Sequence, residues 1–236
     1  MLAPACAACA QPLEKPTQGP VCEACWQSIR ALTPPLCDRC GDPLAAWRAS
    51  DAPSGLCRRC RRARRYVDRG RAIGAYDGAL RAIIHALKYE GRRSLARPLG
   101  ALMRRRGAEI LDGAVCAIPV PLHGSRRRHR GFNQAADLAG EVGLPVVAAL
   151  RRARATESQI ALPAARRHRN VRDAFAATAD AAVLAGSVVV LIDDVSTTGA
   201  TLEACARVLK ESGVREVRAL TVARVVAGCW LLDADR

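Results

Sequence analysis

The chain has 236 residues, of which 50% are hydrophobic and 3% aromatic, and its formal net charge is +15. This length suits one ordinary domain plus a small one, the charge favours polyanionic partners such as nucleic acid, and the few aromatic residues argue against a long base-stacking platform. No apolar run approaches 18 residues and no basic-then-apolar leader is visible, so we expect a cytoplasmic protein without a membrane span.

Four C-x-x-C pairs characterise the first 65 residues. They are Cys6/Cys9, Cys22/Cys25, Cys37/Cys40 and Cys57/Cys60. Their spacing is typical of tetrahedral Cys₄ zinc, whereas disulfides would require an oxidising compartment. We assign one structural zinc ion to the first two pairs and a second to the last two, with a cross-braced arrangement as the alternative. Metal binding then supplies much of the folding free energy of a segment too small to bury its own core.

The same segment contains a predicted helix and a run of arginines. The helix is expected over residues 26–32, ending before a Pro-Pro pair. Six arginines lie between positions 58 and 65, here called the arginine strip, and four of them are nucleic-acid-binding candidates: Arg58, Arg59, Arg61 and Arg62. The strip is either a solvated linker or a phosphate-binding surface.

From residue 66 onward, strand and helix patterns alternate. Alternation predicts a parallel sheet flanked by helices, with ligands at the carboxyl ends of the strands. We therefore predict a small cysteine-rich domain over 1–65 and an α/β domain over 66–236. The predicted strands are 72–76, 115–120, 145–150, 188–192 and 217–222, and the predicted helices are 79–89, 95–105, 134–141 and 200–211.

Two of the loops that follow predicted strands are rich in arginine. The first reads RRRHRGFNQ, and the second, within 151–175, is polar and basic and is expected to cover a ligand or to extend a basic track. Arginine binds phosphates through bidentate contacts, although a solvated charge run is the alternative for the first loop. The phosphate-binding candidates are Arg126, Arg130 and Asn133, and the nucleic-acid-binding candidates are Arg127, Arg128, Phe132 and Arg167.

The segment 188–201 carries the most specific signal, with the sequence VVVLIDDVSTTGAT. A buried strand, a small-residue turn and a helix start bring backbone N–H groups and the helix dipole together, which makes an anion site. Asp193 and Asp194 suit ribose hydroxyls or hydrated Mg²⁺. The pattern predicts a ligand with phosphate and ribose, the alternative being an ordinary strand–loop–helix join. The expected loop residues are Val195, Ser196, Thr197, Thr198, Gly199, Ala200 and Thr201.

This loop resembles the phosphoribosyl pyrophosphate (PRPP) loop of type I phosphoribosyltransferases, and the whole chain resembles the ComF family. The matching motifs are the four cysteine pairs, HALKY at 85–89, PVPLH at 119–123, RGFNQ at 130–134, and the loop itself. The resemblance implies a type I phosphoribosyltransferase fold behind a double zinc ribbon. It implies PRPP with Mg²⁺ as ligand, Asp193 and Asp194 as catalytic residues, and a link to natural competence with single-stranded DNA and other competence proteins as partners.

Two functions from different classes follow from these features. The first is a protein that binds PRPP–Mg²⁺ and grips single-stranded DNA with its arginines, whose affinity for DNA falls steeply with salt. The alternative is an active phosphoribosyltransferase in nucleotide metabolism or salvage, with no role in DNA handling and with catalysis by positioning and charge stabilisation. We expect the zinc ribbon to present the arginine strip over the mouth of the PRPP site.

Overall fold

The computed structural model describes residues 4–44, 55–122, 124, 128, 130–153 and 173–226. Its central element is a four-stranded parallel sheet with the strand order β1-β6-β5-β2. These strands are β1 (Arg69–Ala75), β2 (Cys116–Pro119), β5 (Val188–Ser196) and β6 (Glu216–Arg224). A separate antiparallel pair consists of β3 (Leu150–Arg152) and β4 (Phe175–Ala177). The predicted parallel α/β architecture is confirmed.

Helices cover both faces of this sheet. One face packs against α3 (Gly78–Tyr89), α4 (Ala96–Arg106) and α6 (Gln134–Ala139), and the other against α7 (Ala200–Glu211). Shorter elements are α1 (Glu23–Gln27), α2 (Arg58–Arg62), α5 (Ala108–Leu111) and 3₁₀ turns at Pro16–Gln18, Arg93–Leu95 and Ala179–Leu184. The sheet therefore lies between two apolar layers.

The sequence of β5 explains its central position. Val190 and Ile192 face the layer that contains α3, whereas Val189 and Leu191 face the layer that contains α7. A strand buried on both faces needs a continuous apolar run rather than an alternating one. The burial of each such side chain stabilises the fold by about 1.5 to 3 kcal/mol.

The cysteine-rich segment covers the outer edge of β1. The N–H of Ala75 donates to the carbonyl of Arg30 at 2.9 Å, and Ile29 is buried in the layer with α3. Gly41 has a φ of +70°, and a Cβ at this position would lie 2.6 Å from the carbonyl oxygen of Gly70. The segment thus caps an edge strand whose unpaired backbone groups would otherwise be exposed.

Two predicted elements are wrong. The helix expected at 26–32 is α1, which begins three residues earlier because Cys22 is its N-cap and ends at Gln27. The strand expected at 145–150 forms only a parallel bridge between Val146 and Ala117. Val146 is half exposed, so this segment lacks the second buried face of a central strand. Regular pairing resumes at Leu150, in the small antiparallel sheet.

The other predicted elements differ from the observed ones mainly at their ends. The largest extension is in β5, which continues beyond Ile192 to Ser196. Pairing with β6 persists there, with Asp193 beside Thr221 and Ser196 beside Arg224. The two carboxylates therefore lie on a regular strand rather than in a loop, which fixes their backbone.

Candidate functional site

The anion loop (residues 196–201) connects the end of β5 to α7. Residues 197–199 form a bend, and Gly199 has a φ of +77°, a left-handed conformation that favours glycine. A Cβ built on Gly199 would meet only Ser196 Oγ, at 3.9 Å, among the described atoms. The space above the bend is therefore open to a ligand.

The backbone of this loop supplies unpaired donors. Within the described ranges, no acceptor takes a hydrogen bond from the N–H of Thr197, Thr198 or Gly199. The hydroxyl of Thr198 accepts from the N–H of Ala200 at 3.3 Å and so supports the first turn of α7. Three free N–H groups beside a helix N-terminus form a positive concavity that suits an anion such as phosphate.

Asp193 and Asp194 precede the loop and differ in their surroundings. Asp194 is only 4% exposed, and its Oδ2 atom is buried without a hydrogen-bond partner among the described residues. Asp193 is half-buried and its Oδ1 accepts from the N–H of Asp194 at 2.9 Å. A buried carboxylate oxygen without a partner is costly, so it is a ready acceptor for a ligand hydroxyl or a hydrated cation.

Burial raises the pKa of Asp193 to about 7, and the neighbouring charge of Asp194 adds to this effect. The positive charges of Lys88 and Arg152 act in the opposite direction. Near neutral pH the free site therefore carries a proton on Asp193 for part of the time. A cation or an array of hydroxyl donors at the two carboxylates would stabilise the ionised form.

Lys88 forms an ion pair with Asp194, although the sequence analysis did not assign it to the site. Its ammonium nitrogen lies 2.9 Å from Asp194 Oδ1, and only 15% of its side chain is exposed. Burial alone would lower the pKa of Lys88, but the charge of Asp194 raises it above the ordinary value. The sequence contains one indication of this role, because Lys88 follows Ile84 by four residues and so lies on the buried face of α3.

A second group missed from sequence lies at the end of α3. Tyr89 is 52% exposed, and its ring is tilted against the ring of His85 with centroids 4.8 Å apart. The guanidinium of Arg130 lies 4.7 Å from the centroid of Tyr89 and also donates to Gln134 at 3.2 Å. Arg130 is thus held beside Tyr89, the residue that follows Lys88.

Several predicted phosphate ligands have structural partners instead. The amide of Asn133 caps α6 by accepting from the N–H of Ala135 at 3.2 Å, and it donates to the carbonyl of Val120 at 3.1 Å. Ser196 is buried, and its hydroxyl accepts from Arg224 at 3.2 Å. These contacts stabilise the two loops and do not leave the side chains of Asn133 and Ser196 free for a ligand. Val195 lies on β5 and is partly buried, whereas Ala200 and Thr201 begin α7, where Ala200 is buried and Thr201 is partly buried.

The remaining arginine candidates are only partly covered by the structure. Arg128 is exposed, whereas Arg126, Arg127 and Arg167 lie outside the described residues. Phe132, expected to stack on a base, is only 9% exposed, and the guanidinium of Arg93 lies 5.4 Å from its ring centroid. This packing places Phe132 in the apolar layer with α3, which does not favour the predicted stacking role.

The eight paired cysteines form two clusters. Within each cluster the four Sγ atoms lie within 4.8 Å of one another. The first cysteine cluster is Cys6, Cys9, Cys22 and Cys25, and the second is Cys37, Cys40, Cys57 and Cys60. The sequential pairing is confirmed, and this donor set fits tetrahedral zinc. Burial and then the neighbouring thiols raise the pKa of Cys25, and a bound zinc ion would reverse that shift by favouring the thiolate.

The two clusters are built by the same local structure. In the first, the N–H of Cys6 donates to the carbonyl of Gln11 at 2.8 Å, and in the second the N–H of Cys37 donates to the carbonyl of Asp42 at 2.8 Å. The N–H groups of Cys22 and Cys57 donate to Sγ of the first cysteine of their own cluster, each at 3.3 Å. Gln11 and Asp42 are therefore equivalent positions of an internal repeat.

The arginine strip lies beside the start of α7. Arg58, Arg61 and Arg62 are exposed, whereas Arg59 donates to Asp42 at 3.0 Å. The strip ends at Arg65, which pairs with Glu203 in the first turn of α7 at 3.5 Å. The exposed guanidiniums thus project from a helix anchored next to the element that begins at the anion loop.

Comparisons with known proteins agree with this geometry. The chain matches the Double zinc ribbon domain over residues 1–61 and the Phosphoribosyl transferase domain over residues 128–229. It is 30% identical over 234 residues to the DNA utilization protein YhgH of Salmonella typhimurium, covering 94% of this chain and 97% of that protein. The chain belongs to the ComF family. Its phosphoribosyltransferase-like sheet and double zinc ribbon are those of that family.

Two further relatives have lower sequence identity. Competence protein F of Haemophilus influenzae is 29% identical over 214 residues, covering 86% of this chain and 90% of that protein. Competence protein ComFC of Bacillus subtilis is 26% identical over 200 residues, covering 82% of this chain and 79% of that protein.

In the part of the chain that the structure describes, no helix has the length and apolar character needed to cross a bilayer.

Proposed function

We propose that this ComF protein binds PRPP at the anion loop, as a complex with Mg²⁺. The three unpaired N–H groups of residues 197–199 carry this proposal, because they match the 5′-phosphate in charge and in hydrogen-bonding character. The carboxylates of Asp193 and Asp194 would accept hydrogen bonds from the ribose hydroxyls.

The donor set also fits the metal. Mg²⁺ prefers oxygen ligands and keeps several waters, and Asp194 Oδ2 is a buried oxygen with no hydrogen-bond partner in the described part of the chain. When bound, Mg²⁺ would neutralise part of the pyrophosphate charge. Lys88, which contacts Asp194, and Arg130, which lies beside Tyr89, supply positive charge that would favour a polyanionic ligand.

Calorimetry with PRPP and Mg²⁺ tests this site. We expect the double variant Asp193→Asn, Asp194→Asn to bind at least about a hundredfold more weakly, because two charge-assisted contacts are lost. Asp180→Asn, which changes an exposed carboxylate in the turn Ala179–Leu184, is the matched control and should bind as the unaltered protein does. Equal affinity in the double variant and the control would contradict the proposed site.

We also propose that the protein binds single-stranded DNA in the cytoplasm, in a role related to competence. The names of its relatives support this role, and so does the arrangement of exposed arginines on α2 beside α7. Reduced cysteine clusters are the state expected in a reducing compartment. Tyr89 takes the stacking role first expected of Phe132, since its ring is half exposed and lies beside Arg130.

Binding of an oligothymidylate at several salt concentrations tests the DNA proposal. We expect affinity to fall steeply with salt, and Tyr89→Ala to weaken binding about tenfold, because stacking on one base contributes about 1–3 kcal/mol. Tyr89→Phe keeps the ring and should bind both DNA and PRPP normally. Equal DNA affinity of Tyr89→Ala and Tyr89→Phe would remove Tyr89 from the DNA site.

A further inference from the structure

We propose that Arg224 links the second cysteine cluster to the anion loop, so that zinc at this cluster holds the loop in its ligand-binding geometry. This inference deepens the proposed function and rests on PRPP binding at that loop. In this proposal Arg224 is a positioning residue, and the zinc ribbon helps to hold the anion loop in place.

Arg224 contacts Ser196, the first residue of the anion loop. It is the last residue of β6, is paired in register with Ser196, and is only 4% exposed. Its Nη1 donates to Ser196 Oγ at 3.2 Å, and the following residue, Val225, donates its N–H to the carbonyl of Ser196 at 2.9 Å. Both contacts are made to Ser196, which precedes the bend. The position of the guanidinium therefore constrains the backbone where the loop begins.

The guanidinium of Arg224 also contacts Asp42. Its Oδ1 accepts from Arg224 Nε, and its Oδ2 accepts from Arg59 Nη2 at 3.0 Å. Each oxygen of this carboxylate therefore contacts an arginine. Without the carboxylate, Arg224 would be a buried cation whose remaining donor, Nη2, already lacks a partner among the described residues.

The second cluster fixes Asp42. Asp42 follows Cys40 by two residues, and its carbonyl accepts the N–H of Cys37. Arg59 lies between Cys57 and Cys60 on α2. A zinc ion with four thiolates also carries a net charge of minus two, which favours two nearby guanidiniums. Loss of the metal would release both the backbone of Asp42 and the helix that carries Arg59.

The first cluster offers an internal control. Gln11 occupies the position equivalent to Asp42, with the same backbone bond to its cysteine, but its side chain is neutral. The first cluster packs instead against the layer that contains α3, through Cys6 and Val21. Two similar zinc sites therefore have different connections, and only the second has this ionic link from Asp42 to the loop among the described residues.

The test compares full-length, zinc-loaded Asp42→Asn with Gln11→Ala. Both should retain two zinc ions per chain, since no cysteine is changed. We expect Asp42→Asn alone, without ligand, to exchange amide hydrogens faster in the strand residues 193–196, and to bind PRPP about tenfold more weakly. Asp42→Glu, which keeps the charge, should restore part of both properties.

The exchange measurement separates this inference from the proposed function. If the unaltered protein failed to bind PRPP, the comparison of loop exchange would still decide whether Asp42 controls the loop. Arg224→Gln leaves both clusters untouched and must reproduce the faster exchange, even if Asp42→Asn lost zinc. Exchange of residues 193–196 at the normal rate in Arg224→Gln would overturn the proposal.

Discussion

Replacing Cys37 and Cys60 together by Ser should leave one zinc ion per chain and unfold the second half of the ribbon. The four Sγ atoms of this cluster lie within 4.8 Å of one another, and a structural zinc ion contributes about 10–16 kcal/mol to the folding of such small units. This exceeds what the few buried side chains of residues 35–44 and 55–60 can supply. Zinc analysis and hydrogen exchange of residues 37–44 measure the effect.

A matched control uses a cysteine outside the clusters. Cys116 is a buried thiol of β2, so Cys116→Ala should keep two zinc ions and a protected ribbon. We expect the cluster variant, unlike this control, also to lose protection along β1, because Gly41 and Arg71 connect the two elements. Arg71 donates to the carbonyl of Asp38 at 3.2 Å. Protected amides at 37–44 in the cluster variant would mean that zinc is not needed for this fold.

The predictable parts of this fold are those whose chemistry is local in sequence. The strand before Asp193, the bend at Gly199 and the helix that follows are adjacent along the chain, and each is required by residue type. The cysteine spacing predicted two Cys₄ sites in the same way but left the sequential and cross-braced pairings open, and only the positions of the Sγ atoms decide for the sequential one. The ends of β5 were harder to predict, because its last residues are polar and only their pairing with β6 makes them a strand.

The parts that sequence reasoning missed depend on contacts between distant residues. Lys88 and Asp194 are separated by more than a hundred positions, and only the packing of α3 on the sheet brings them together. Phe132 looked exposed because polar residues flank it, yet tertiary packing buries it beside Arg93. Asp42 and Arg224 likewise meet only when the ribbon covers the edge of the sheet.

Lys88→Met should destabilise the protein by about 3–5 kcal/mol, the cost of breaking a buried ion pair by removing one partner. The side chains of Lys88 and Asp194 are 15% and 6% exposed, so little water can replace the lost ammonium. Urea unfolding at pH 8 measures the change. The double variant Lys88→Met, Asp194→Asn should recover most of the loss, because it no longer leaves a buried charge.

The effect of Lys88→Met should also depend on pH. A carboxyl group whose pKa is raised on folding, as that of Asp193 is to about 7, favours the folded state when protonated. Its contribution to stability is therefore present below pH 4 and is lost as pH rises towards 7. Without the charge of Lys88 this pKa should rise further, so the variant should lose more stability at pH 8 than at pH 5. A loss that is equal at both pH values would show that Lys88 does not control the pKa of Asp193, and a loss that the double variant does not recover would show that Lys88 acts through packing alone.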